Sequence, residues 1–189
     1  MLVTNVHSVS RWQRTHEQLS QAALELFTEH GYEATGTAQI AQRAGVSEMT
    51  LFRHFPTKEA LLLTDPFDPV MAKAVRERPE EEAPMQALTA GIGQVWHTID
   101  DDALRTLRGR LRIIARAPAL RGAIERNSEA SASALTAALE DRGVDRPQAH
   151  VAAAAVIAGL SAALQTWAMT EDADLQHTLA SALAVLAGE

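Results

Sequence analysis

Apolar positions recur at spacings of three and four along almost the whole chain, and no stretch alternates with the period of a strand. Between Arg11 and Glu29, Leu19, Ala23, Leu26 and Phe27 make one buried stripe, which His30-Gly31 closes. Ile40, Ala41 and Ala44 predict a short helix opening at Gly36 or Thr37, and Gly45 is the left-handed residue that ends it. Val46 plugs the corner. Ser47 then caps a second short helix with Leu51 and Phe55 on its buried side and Pro56 as its stop. A fourth helix follows Thr57 and breaks at Thr64-Asp65-Pro66-Phe67-Asp68-Pro69, because each proline removes a donor and disfavours helix at the residue before it. It restarts at Asp68 or Pro69 and runs to Arg78.

Beyond the solvated RPEEEAP loop, Pro84 opens a helix with Leu88, Ile92, Val95 and Ile99 inward. Asp100-Asp101-Asp102 caps the next, predicted over about 102–117 with Leu104, Leu107, Leu111 and Ile114 inward. Consecutive aspartates at a helix start do not converge with His97 on a metal, so capping is the reading taken. Pro118 starts a helix reaching about Arg142. The last two helices are predicted over 147–169 and 172–187. Ala152–Ala155, Ala158, Gly159, Ala162 and Ala163 crowd the former, and small residues let helix axes approach closely. This much apolar surface on so short a chain predicts burial against a second copy. The expected interface is Val151, Ala155, Gly159, Ala162, Leu175, Leu179, Ala182, Leu183 and Leu186; completion of a single core is the alternative. The expectation is an all-α chain of about nine helices: a tail over 1–10, a head over 11–64 and a body over 65–189.

Composition narrows the class. Nearly half of the 189 residues are apolar and few are aromatic, as in a globular helical domain. No cysteine means no disulfide framework and no thiolate metal site. No basic segment leads into a long apolar run at the start, so no signal peptide is expected. The apolar run Val151–Leu164 is shorter than the roughly 20 residues of a span. A soluble, cytoplasmic protein with no membrane partner is expected. The net charge of −7 argues against nucleic acid, and the first 64 residues, with five Arg or Lys against six acids, are near neutral. Local placement decides phosphate contact, and Arg11, Arg14, Arg43, Arg53 and Lys58 are placed to reach one side.

Two short helices joined by a glycine-containing turn make a helix-turn-helix, whose second helix enters the DNA major groove. The run Gly31–Leu62 resembles the TetR family of one-component transcriptional regulators. The residues that carry the resemblance are Gly31-Tyr32, Ile40-Ala41, Ala44-Gly45-Val46-Ser47, Thr50-Leu51, His54-Phe55 and Lys58-Glu59-Ala60-Leu61. The resemblance implies an N-terminal DNA-binding head, a C-terminal ligand-binding and dimerisation body, and a homodimer on a double-stranded DNA operator. It implies that Thr37 meets phosphate, and that Glu48, Met49 and Thr50 face base edges. Glu48 can accept from a cytosine amino group but cannot donate to guanine, while Met49 and the Thr50 methyl suit a thymine methyl. Phe52 replaces the usual tyrosine and loses a phosphate hydrogen bond, and Ala38 stands where relatives often carry arginine. Arg53, His54 and Lys58 are the remaining backbone contacts.

The resemblance also implies a mainly apolar pocket for a small hydrophobic effector, with Phe67, Met71, Met85, Ile92, Trp96, Arg110, Trp167 and Met169 as candidates by position. The double-proline break beside Phe67 would redirect a ligand-driven shift toward the head. Arg105, Arg108, Arg112 and Arg116 form a stripe that is either solvated surface or an anion site. An enzyme is not expected: Asp174-x-x-His177 is single where a di-metal bundle needs several such pairs, and no phosphate loop or nucleophile signature occurs. No cofactor, catalytic residue or metal ligand is assigned. A ligand-released repressor is the main reading; a helical ligand sensor or an activator is the alternative.

Overall fold

The computed structural model describes residues 10–64 and 67–188, and all of its regular structure among them is helical. The expected tail before Ser10 and the Asp65-Pro66 break lie outside the described residues. Ten α-helices follow in order: α1 Arg11–His30, α2 Thr37–Arg43, α3 Glu48–His54, α4 Ala60–Leu63, α5 Asp68–Arg76, α6 Pro84–Trp96, α7 Asp101–Ala115, α8 Arg121–Glu140, α9 Arg146–Met169 and α10 Leu175–Ala187. The count exceeds nine because the fourth predicted helix is two, α4 and α5, on either side of the interruption. The chain packs as two units, one up to Leu62 and one from Leu63.

The helices start where side chains satisfy their first amides. Ser10 accepts from the Gln13 amide and Gln13 returns the bond to the Ser10 amide, a reciprocal cap on α1. Asp100, Asp145 and Asp174 cap α7, α9 and α10 one way, accepting from the amides of Ala103, Gln148 and His177. Several boundaries differ from the sequence expectation: α5 ends at Arg76 instead of Arg78, and α6 ends at Trp96, short of Ile99. Pro118 opens only a 3-10 turn, Pro118–Leu120, before α8 begins at Arg121. The last helix starts at Leu175, because Asp174 is its cap and not an interior residue.

In the first unit Leu19, Phe27, Ile40, Leu51 and Phe55 are almost wholly buried and hold α1 across α2 and α3. In the second, α9 packs against α6, α7, α8 and α10, and α5 fills the angle between α6 and α8. Met71, Val75, Leu88, Ile92, Leu135, Leu139, Val156 and Leu160 form its core. Among the described residues α9 is the one helix long and apolar enough to cross a bilayer, yet its inner face, with Ala149, Ala153, Val156 and Trp167, is in this core. Its outer face carries Val151, Ala154, Ala155, Ala158 and Ala162 to solvent.

Candidate functional site

The corner between α2 and α3 is built locally. Gly45 takes φ +70°, which side chains with a Cβ rarely adopt, and turns the chain after α2. The Val46 amide donates to the Ala41 carbonyl, and Ser47 Oγ accepts from the Thr50 amide at 3.2 Å, opening α3. Leu51 and Phe55 face inward, so the opposite side of this helix of about two turns is left outward. That side carries Glu48, Met49, Phe52 and Arg53, with Met49 67% and Phe52 43% exposed.

The outward residues are already partnered. Thr37, first in α2, donates its hydroxyl to the Glu48 carboxylate, joining the first residues of the two helices. Ser47 and Thr50 hydroxyls lie 2.9 Å apart and satisfy each other. The Arg53 guanidinium rests on the Met49 sulfur at 3.8 Å. Arg43 turns away and pairs with Glu25 and Glu29 of α1 at 3.2 and 3.3 Å. Gln21 and Arg43 together hold the Glu25 carboxyl below its usual range.

Lys58 is placed inward. Its ammonium donates to the Tyr32 carbonyl at 2.6 Å and sits 4.1 Å from the centre of the Tyr32 ring. Burial pushes its pKa down, and burial with Glu59 and Glu33 nearby pushes the Tyr32 phenol up to about 12. His54 is also absorbed into packing: its ring lies 4.8 Å from Trp12 and 5.7 Å from His16, and His16 stacks on Phe55 at 4.2 Å. Sequence reasoning passed over this stack, although Trp12 and His16 are four apart on one helix face.

In the body, Met71, Ile92, Trp96 and Trp167 are each 4% exposed or less, and the Phe67 ring tilts against Trp96 at 5.6 Å. Met85 packs at the edge of this cluster, Arg110 is half-buried, and Met169 stays outside it, 56% exposed. A separate cavity of about 610 Å3 lies between α8 and α9, lined mostly by small residues with Glu129 and His150, and none of the eight candidates reaches it. The arginine stripe is largely committed. Arg105 pairs with Asp102, Arg108 stacks on Trp167 at 4.4 Å and donates to the Glu171 and Ala173 carbonyls, and Arg112 donates to the Ala168 carbonyl at 2.8 Å. Arg112 thereby caps the C-terminal end of α9, where the last carbonyls lack helical partners, and Arg108 holds the loop that follows it.

Of the interface residues expected from sequence, Val151, Ala155 and Ala162 face outward. Leu175 and Leu179, 3% and 2% exposed, are in the protomer's own core. Gly159 is covered by Leu186 of the same chain, and Ala182 and Leu183 are half-buried.

Comparison with known proteins agrees with this construction. Residues 19–64 match the bacterial regulatory proteins of the tetR family, and residues 82–189 match the MftR C-terminal domain. The HTH-type transcriptional regulator TcmR of Streptomyces glaucescens is 34% identical over 176 residues, 86% of this chain and 77% of its own. The chain belongs to the TetR family. It is a helix-turn-helix, DNA-binding transcriptional regulator. A SmeT–triclosan complex has the same fold, with a TM-score of 0.65 at 22% identity over 93% of this chain and 91% of that one. FadR of Bacillus subtilis, in complex with stearoyl-CoA, has a TM-score of 0.56 at 22% identity over 90% and 97%.

Within this TetR-family head Arg53 is exposed while Lys58 is bonded inward, and one experiment tests the different roles expected of them. Arg53→Ala should weaken DNA binding evenly across sequences and reduce the slope of log K on log salt by about 0.9. Lys58→Ala should instead lower stability by about 1.5–3 kcal/mol, the contribution typical of a hydrogen bond from a charged donor. Its salt slope should match wild type. Equal slopes for the two variants would return Lys58 to the phosphate contacts.

Proposed function

We propose that the chain is a homodimeric repressor that binds a palindromic operator and releases it when a small, mainly hydrophobic effector occupies the body. Residues up to 64 are then the DNA-binding part, and 65–189 the effector-binding and dimerisation part. The observation that carries the reading is the outward side of α3. Glu48, Met49, Phe52 and Arg53 are exposed together while Leu51 and Phe55 anchor the helix from behind. A recognition helix needs this division between anchoring and reading residues. Thr37 and Thr50 flank the reading face, Arg53 supplies an exposed cation, and His54 and Lys58 hold the surface in shape.

The outer face of α9 supports the twofold. A TetR-type head contacts one half-site, and a second copy brought by the body places a second head one helical turn or a multiple along. A titration of the full chain on its own upstream DNA, followed by fluorescence anisotropy, tests the reading. Two protomers per site and a preference of at least a thousandfold over random sequence are expected. One protomer per site would overturn the palindrome, and no preference would overturn operator binding.

A further inference from the structure

The polar side chains around the outward side of α3 are engaged with one another, and what they leave over is one-sided. Thr50 Oγ1 lies 2.9 Å from Ser47 Oγ, and the Arg53 guanidinium rests on the Met49 sulfur at 3.8 Å. The Thr37 hydroxyl donates to Oε1 of Glu48, so that the first residue of α2 holds the first residue of α3. Glu48 is exposed, and no cation among the described residues pairs with it. Its carboxylate keeps acceptor capacity at the other oxygen, while the half-buried Thr37 fixes where that oxygen stands.

A hydroxyl has one proton. While Thr37 gives it to Glu48 it cannot give it to a phosphate oxygen, which only accepts. A carboxylate beside Thr37 also repels a phosphate from that place. The bond therefore ties Thr37 to the reading residue and not to the DNA backbone. Fixing the carboxylate matters, because a loose glutamate loses its rotamer freedom on meeting a base and a held one has lost it already. In the major groove only the cytosine N4 and adenine N6 amino groups donate, and guanine O6 and N7 and thymine O4 repel a carboxylate. Adenine carries its N7 acceptor beside the amino group, whereas cytosine presents the amino group alone.

We propose that Thr37 is a positioning residue for base choice: through its bond to Glu48 it fixes the carboxylate that reads a cytosine in each half-site. This assignment rests on the operator-binding reading above, and the two can fail separately.

Selection from a randomised DNA pool with the full chain tests it. The position read by Glu48 is the one whose preference changes in Glu48→Gln, and glutamine should move it toward adenine, whose N6 and N7 it can bond together. Wild type should prefer cytosine there by about fivefold or more, the usual cost of one mismatched pair. Thr37→Val keeps the branched shape and removes the hydroxyl. It should bring that preference below about twofold and leave the other positions and the salt slope unchanged. Thr37→Ser should restore the preference, and Thr37→Ala replaces the valine variant should that not fold. A cytosine preference that survives Thr37→Val, a smaller salt slope in that variant, a wild-type preference for any other base, or an unaltered site in Glu48→Gln would overturn the proposal and leave operator binding standing. A wild type that selects no sequence would overturn both.

Discussion

An Ala155→Arg chain is expected to sediment as a monomer and to bind its operator at least a hundredfold more weakly than wild type. Ala155 is exposed at the middle of the outer face of α9, between Val151, 68% exposed, and Ala158 and Ala162. These small side chains let two such helices approach closely, and α10 extends the apolar area with Val185, 77% exposed. Arginine there would carry a long cation into the proposed contact, whose face on α9 is made of small apolar side chains. Breaking a buried pairing by an uncompensated charge costs about 3–5 kcal/mol, more than the roughly 2.8 kcal/mol that a hundredfold represents. Operator affinity follows, because a monomer loses the second half-site and the high effective concentration that tethering gives it. Gly159, equally attractive in the sequence, is the wrong probe: a Cβ there would lie 2.9 Å from Leu186 Cδ1 of the same protomer. Equilibrium sedimentation and anisotropy on one preparation check the prediction. A dimeric Ala155→Arg chain with wild-type affinity would move the interface off α9.

What the sequence made legible is local. Gly45, Ser47 and Pro56 act within four residues of themselves, so α2, the turn and α3 could be drawn before any coordinates. Pro118 shows where local reasoning stops, since a first-turn proline suits a 3-10 turn as well as an α-helix and only packing decides. The larger gaps are long-range. The arginines of α7 were visible as donors, but their acceptors, the Glu171, Ala173 and Ala168 carbonyls, lie 56 to 65 residues away. A stripe of four cations therefore read as surface or anion site, and not as a cap on another helix. Lys58 is the same case, because its acceptor is a backbone carbonyl 26 residues earlier. Leu175 and Leu179 were recognisable as apolar, but periodicity does not say which neighbour covers them. Asp68 was legible as a helix start, but its bond from Ser131, 63 residues on, had no local signal.

Gly91→Val is expected to destabilise the body strongly, whereas Gly93→Ala, two residues along the same helix, is expected to stabilise it. Gly91 faces α5 at the closest approach of two helix backbones. A Cβ built on it would lie 3.0 Å from the Val75 amide nitrogen and 3.1 Å from the Ala74 carbonyl carbon and Val75 Cα. These are backbone atoms, so no rotamer change relieves the contact. Replacing a mid-helix glycine by alanine gains about 1 kcal/mol in propensity, and overpacking a close-packed core costs about 1–3 kcal/mol. For alanine at position 91 the two effects are comparable. Valine forfeits most of the propensity gain through its restricted rotamers and adds two methyl groups against the backbone of α5, so overpacking prevails. At Gly93 the nearest atom to a new Cβ is Leu183 Cδ1 at 3.6 Å, an ordinary contact with a movable side chain, and the propensity gain survives. For a chain of this size each kcal/mol moves the melting temperature by about 2–4 °C. Gly91→Val should therefore melt at least 5 °C below wild type, and Gly93→Ala up to about 4 °C above it. Scanning calorimetry on both variants decides, and equal melting temperatures would mean that α5 and α6 do not meet through Gly91.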